Sequence, residues 1–167
     1  MSNEQQLEMI QEIFIPNVSR TRSGREFFPQ EDLWKFKDNV VNIYMDFKKF
    51  PAPYKMRNAV KKILLWYAEN KSPSYTQNLF SYLLAFFRKV SEDLQSDVEA
   101  ISPEILLNYY AILSERNKYK LGYIAGLIKR WVAMELPGVS QDCLPLLEQI
   151  RIKGCVKGEA VLTHDPE

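Results

Sequence analysis

The chain has 167 residues with a formal net charge of +1, and 46% of its residues are apolar, so it is long and apolar enough to bury a core and is not a disordered segment. No apolar run approaches the ~20 residues needed to cross a bilayer, and the polar, acidic stretch Met1 to Glu12 excludes a secretory signal. Cys143 and Cys155 fit neither a zinc-ligand spacing nor a disulfide framework and read as two reduced thiols of a cytoplasmic protein.

Charge is unevenly spread. Residues 48–71 carry seven Lys/Arg against one Glu, whereas residues 91–115 carry six acids and no Lys/Arg. That asymmetry predicts a dipolar surface whose basic part suits a polyanion.

In chain order, residues 3–14 predict a short helix with Leu7, Ile10 and Phe14 on one side. Residues 17–32, with Arg20, Arg22, Arg25 and Gly24, read as a loop or arm; a basic arm can reach along a phosphate backbone, but loops of this composition are usually just solvated. Asn39 to Phe47 reads as strand or buried extended chain, a choice that periodicity does not decide for so short a run.

Pro53 opens a helix whose apolar stripe is Met56, Val60, Ile63, Leu64 and Tyr67. Arg57 and Lys61 border that stripe, Lys55 and Lys62 project from the far face, and Asn70-Lys71 closes the helix. Ser72-Pro73 then gives an N-cap followed by proline at the first helical position. Leu79, Tyr82, Leu83, Phe86, Phe87 and Val90 recur at helical spacing as the inner face. The opposite stripe, Ser74, Gln77, Asn78, Ser81, Ala85 and Arg88, is polar and free of acids. Asn and Gln make bidentate contacts to adenine in a major groove, and Arg does so to guanine.

Ser102-Pro103-Glu104 repeats the start grammar for a third helix with an inner seam of Leu106, Tyr109, Tyr110 and Leu113. A fourth, Lys118 to Leu136, packs through Leu121, Ile124, Ala125, Ile128, Trp131 and Val132. Gly122 and Gly126 are placed to let another backbone approach, and Arg116, Tyr119, Lys120, Tyr123 and Arg130 interleave cations with tyrosine as phosphate and sugar contact requires. Pro137-Gly138 stops this helix, and a short last one spans Gln141 to Arg151.

The polar break followed by Ser72-Pro73-Ser74-Tyr75-Thr76 and a long aliphatic-aromatic helix resembles the N-terminal core-binding (SAM-like) domain of tyrosine recombinases, the phage-integrase-like site-specific recombinases. The helices over Leu106–Leu113 and Lys118–Trp131 are similar to the second half of that domain. Lys157-Gly158-Glu159-Ala160-Val161-Leu162-Thr163-His164-Asp165-Pro166 resembles the linker into such an enzyme's catalytic domain. The likeness covers roughly residues 50–167.

The resemblance implies a mainly α fold, an orthogonal bundle of four to five helices. Its domain organisation would be an N-terminal extension at 1–49, with room for a short strand, a helical core-binding domain at 50–152, and a linker at 153–167 toward a catalytic part absent from this chain. It implies double-stranded DNA as partner, clamped at a recombination site for DNA integration or recombination. Self-association on DNA would run through the full-length recombinase, in a bacterial or phage-derived cytoplasmic setting, with no membrane and no cofactor. Carried onto this sequence, the groove-facing residues are Ser74, Tyr75, Gln77, Asn78, Ser81 and Arg88. The phosphate contacts are Lys118, Lys120, Tyr123, Lys129 and Arg130 with Lys55, Lys61 and Lys62.

No catalytic residue is expected. A phosphoryl-transfer site needs clustered Arg/His charge around the nucleophile, and the one histidine, His164, lies in the tail, so Tyr109, Tyr110 and Tyr119 read as core or contact tyrosines. Glu92, Asp93, Asp97 and Glu99 follow no metal-binding loop and read as solvated charge, leaving no metal site. The competing expectation is an all-α protein-interaction or oligomerisation domain with no nucleic-acid role, anchored by exposed aromatics in residues 25–47. A self-contained helical enzyme would need a cluster of His, Cys or paired carboxylates that the sequence does not offer.

Overall fold

A computed structural model describes residues 12–38 and 40–149. The protein is mainly helical, with two small antiparallel strand pairs ahead of the helices. Of the expected first helix only residues 12–14 are described, and these are not helical. Cys155, His164 and the linker-like stretch 153–167 lie outside the described residues.

Strands β1 (Ser19–Arg20) and β2 (Glu26–Phe27) pair around a turn built on Thr21 and Gly24. The Thr21 hydroxyl accepts from the Arg25 N–H at 3.0 Å, and Gly24 takes φ +91°, a conformation in which glycine avoids a Cβ penalty. The expected loop or arm is thus a loop that carries one short strand pair and lies against the body of the protein. The Arg22 N–H donates to the Ala68 carbonyl and the Ser19 hydroxyl to Glu69, which fastens the turn to the first long helix.

Strands β3 (Leu33–Asp38) and β4 (Val41–Asp46) form a hairpin. Trp34 pairs with Met45 and Phe36 with Ile43, all four buried, so the ribbon has one apolar face on the core. A 3-10 turn (Phe47–Lys49), capped by the Asp46 carboxylate on the Lys48 N–H, leads to helix α1 (Tyr54–Asn70). The core continues without a break across the expected boundary at residues 49 and 50. Phe47 and Phe50 stand on either side of it with ring centroids 6.0 Å apart.

Helix α2 (Pro73–Leu94) starts as expected, the Ser72 hydroxyl accepting from the Tyr75 N–H at 3.1 Å with Pro73 in the first turn. It stops at Gln95, whose φ of 57° lies in the left-handed region. Helix α3 (Pro103–Ile112) is capped in the same way by Ser102 on the Ile105 N–H. Ser72→Ala should cost about 1 kcal/mol of stability in urea unfolding, with an unchanged urea dependence, because one N-terminal donor loses its acceptor.

Helix α4 (Lys118–Ala133) ends three residues earlier than expected, where Glu135 turns to φ +58° and the Trp131 indole donates to the Pro137 carbonyl. Gly138, at φ +106°, permits the next step. That backbone conformation is one a side chain strains, and a Cβ there would also stand 2.9 Å from the Met56 methyl of α1, which would have to move aside. A parallel bridge between Ile101 and Val139 then places residues 143–149, helix α5, with Cys143 and Leu147 buried.

Candidate functional site

Helix α2 is clasped on two flanks. On one, Phe80 meets Phe47 and Phe50 edge-on, each at 5.3 Å. On the other, Tyr75 and Tyr82, seven residues apart and so on one face, meet helix α4. Between the flanks lies the expected polar stripe. Ser74, Asn78, Ser81, Ala85 and Arg88 are exposed and Gln77 is half-buried.

The α4 flank is a row of aromatic rings. Tyr67 of α1 stacks on Tyr75 at 6.2 Å, Tyr75 meets Tyr123 at 6.1 Å, and Tyr82 touches both Tyr123, at 5.8 Å, and Tyr119, at 6.3 Å. At one end the Arg130 guanidinium lies over Trp66, 3.6 Å from the ring centroid, and 5.8 Å from that of Tyr67. Toward the other end Lys120 lies over Tyr82 and Lys118 over Tyr110. Tyr119, Tyr123 and Arg130 fall four and seven residues apart, which is what aligns them along α4. Of the expected contacts, Tyr75, Tyr123, Lys120 and Arg130 are therefore brought together. Tyr119, expected among the cation–tyrosine contacts of this helix, joins them, as do Tyr67 and Tyr82, expected only as inner-face residues, and Trp66, which was not singled out; the seven-residue repeats Tyr75/Tyr82 and Tyr123/Arg130 signal a shared face.

The electrostatics of this face follow from the sequence of the two helices. No acid stands between Glu69 and Glu92 or between Glu115 and Glu135, so α2 up to Ser91 and the whole of α4 are free of carboxylates. Tyr82 has its pKa raised by burial and by the neighbouring Tyr119 and Tyr123, and Tyr67 by burial, against the lowering influence of Arg130. Tyr109 is raised by burial alone. All three remain neutral O–H groups across the physiological range.

The sign of the pH dependence follows. Below the ordinary tyrosine value of 10.0 both folded and unfolded chains hold these protons. Above it the unfolded chain releases them first, so stability should fall as pH climbs from about 10 toward the folded values. Urea unfolding at stepped alkaline pH, read beside phenolate absorbance, checks this. Arg130→Ala should move the Tyr67 titration further upward.

The remaining cations are more dispersed. Lys55 is exposed in the first turn of α1. Lys62 donates to the Phe14 carbonyl at 2.9 Å and lies over the Phe14 ring. Lys118 pairs with Glu115 at 3.2 Å and Lys129 with Glu148. These pairs engage exposed carboxylates and cost little to exchange for phosphate.

Lys61 must be removed from the phosphate-binding set. Its side chain is only 5% exposed, donates to the Gln30 carbonyl at 3.2 Å and pairs with Asp32 at 3.0 Å. Helix α1 is covered on nearly every side, so a residue at the border of its apolar stripe lies inside the protein.

The expected role of Gly122 and Gly126 is also corrected. A Cβ at either would meet nothing within 4 Å, so neither glycine accommodates a neighbouring backbone. The aromatics that would anchor a protein interface in residues 25–47 are mostly internal. Phe27, Trp34, Phe36 and Phe47 are buried, and only Phe28 and Tyr44 are exposed.

Among the described residues no group of three His, Cys, Asp or Glu side chains could hold a metal, and Glu92 and Asp93 both pair with Lys89. Cys143 is a buried free thiol whose pKa is raised by burial. Among the described residues no helix is long and apolar enough to cross a membrane. Compared with known protein families, curated proteins and solved structures, the chain matches none.

Proposed function

We propose that this chain binds double-stranded DNA as the core-binding module of a tyrosine-type site-specific recombinase. It would form one jaw of a clamp whose chemistry resides in another domain. The carrying observation is the face shared by α2 and α4, where an exposed acid-free polar stripe runs beside a ladder of tyrosines edged by Lys120 and Arg130. Phosphate and sugar contact uses these residue types, while Asn78, Ser81 and Arg88 are the side chains with the reach and chemistry for base edges. The orthogonal, SAM-like arrangement of the helices belongs to the same proposal, as does self-association on DNA through the full-length recombinase.

The test is a fluorescence-anisotropy titration with a duplex of ~30 base pairs across a salt series. With about five cations on phosphates, log affinity should fall against log salt with a slope of roughly −4 to −5. Lys120→Ala/Arg130→Ala should flatten that slope by about 2. A folded chain that fails to bind duplex even at low salt overturns the proposal.

A further inference from the structure

The β3–β4 hairpin has a second face that the core does not use. Its register sets Lys35 opposite Tyr44 and Lys37 opposite Asn42 on the side away from Trp34, Phe36, Ile43 and Met45. Lys35, Lys37, Asn42 and Tyr44 are all exposed, and Lys48 and Lys49 are exposed in the turn that follows. Among the described residues none of these four lysines has an ion-pair partner. The nearby Asp46 carboxylate is turned to the Lys48 N–H.

We propose that this outer face is a second nucleic-acid contact, laid along the phosphate backbone of the duplex that the α2–α4 face holds. The inference rests on the DNA-binding reading above. Three features support it.

The face is fixed in orientation. A one-residue slip of the ribbon would bring Trp34 and Phe36 into water, so the buried side chains lock the lysines outward. A lone two-stranded ribbon is marginal in water, and this one is held by rings on its inner side, including Phe27 and Phe47 within about 5 Å of Trp34.

The ribbon also has useful reach. Six residues per strand span about 20 Å, the length of roughly six base-pair steps. The turn at its end carries Val40, 92% exposed, so the tip extends beyond the packed surface.

Composition is the third feature. Lysines on an open edge also discourage strand pairing between molecules. That role needs only charge, whereas here a tyrosine and an asparagine stand directly opposite the two lysines, and both are residue types that bond to phosphate and sugar.

The experiment uses the full chain and the ~30-base-pair duplex, comparing wild type, Lys35→Ala/Lys37→Ala, Lys35→Arg/Lys37→Arg and the helical variant Lys120→Ala/Arg130→Ala. Because Lys35 and Lys37 are exposed, the hairpin variants should retain the wild-type circular dichroism. The alanine pair should flatten the salt slope by about 2 and weaken binding about tenfold or more near 0.1 M salt, while the arginine pair keeps the wild-type slope.

If wild type binds and the helical variant weakens it, but Lys35→Ala/Lys37→Ala leaves affinity and slope unchanged, the hairpin inference fails and the DNA-binding reading stands. If wild type does not bind duplex, both fail. Phosphatidylserine vesicles captured by wild type and lost in the alanine pair, with duplex binding unchanged, would assign the face to a lipid surface and overturn the inference.

Discussion

Phe47→Ala is expected to lower stability by about 3–5 kcal/mol and to bring the thermal midpoint down by roughly 10 °C. The ring is fully buried where three parts of the fold meet. It lies 4.5 Å from Trp34 of the hairpin, 5.3 Å edge-on to Phe80 of α2 and 6.0 Å from Phe50 at the approach to α1. Truncation removes the ring's transfer free energy and leaves a cavity bounded by other large rings, which cannot collapse into it. Phe47→Leu fills most of that space and should cost clearly less. The alanine variant should also lose near-ultraviolet dichroism from Trp34, since Phe47 is one of the rings that hold that indole in place. A drop below about 1 kcal/mol would mean that the hairpin and helices do not share one core.

What was legible in the sequence was what local chemistry decides. Ser72-Pro73 and Ser102-Pro103 each start a helix at the expected residue, because a cap hydroxyl and a proline act within one turn. The inner face of α2 was legible for the same reason, and Leu79, Leu83, Phe86, Phe87 and Val90 are all buried. The hairpin was legible only in its second strand. Yet Trp34-Lys35-Phe36-Lys37 alternates as a half-buried strand must, and the buried pair and exposed pair follow that alternation.

The candidate face was half legible. Tyr75, Tyr123, Lys120 and Arg130 stood out as residue types, but Trp66 and Tyr67 entered only through the packing of α1 against α2 and α4. Lys61 was misplaced because a helical projection says which way a side chain points and not what covers it. The cover is the loop carrying Gln30 and Asp32, about 30 residues upstream.

Lys61→Ala is the second large expected effect, and it separates structure from function at a single residue. The ammonium is inside the protein, with the Gln30 carbonyl and Asp32 as partners and the Phe47 ring 5.8 Å away. Removing one member of a buried ion pair destabilises chiefly by stranding the other. Asp32 is 37% exposed and can turn to water, so the loss should fall below the full range for such pairs, at about 2–3 kcal/mol with the lost packing of the lysine stem. Lys61→Met keeps that stem volume but still leaves Asp32 and the Gln30 carbonyl without the ammonium, so it should cost less than alanine, about 1–2 kcal/mol. Neither variant should alter the salt slope for DNA, because a side chain enclosed by Gln30, Asp32 and Phe47 does not reach a phosphate. Lys62→Ala, next in the chain and half-buried against Phe14, should cost less stability and flatten the slope by about 1. Urea unfolding and anisotropy on the same three variants check both halves. A slope that flattens in Lys61→Met, with stability unchanged, would return Lys61 to the surface and overturn its structural role.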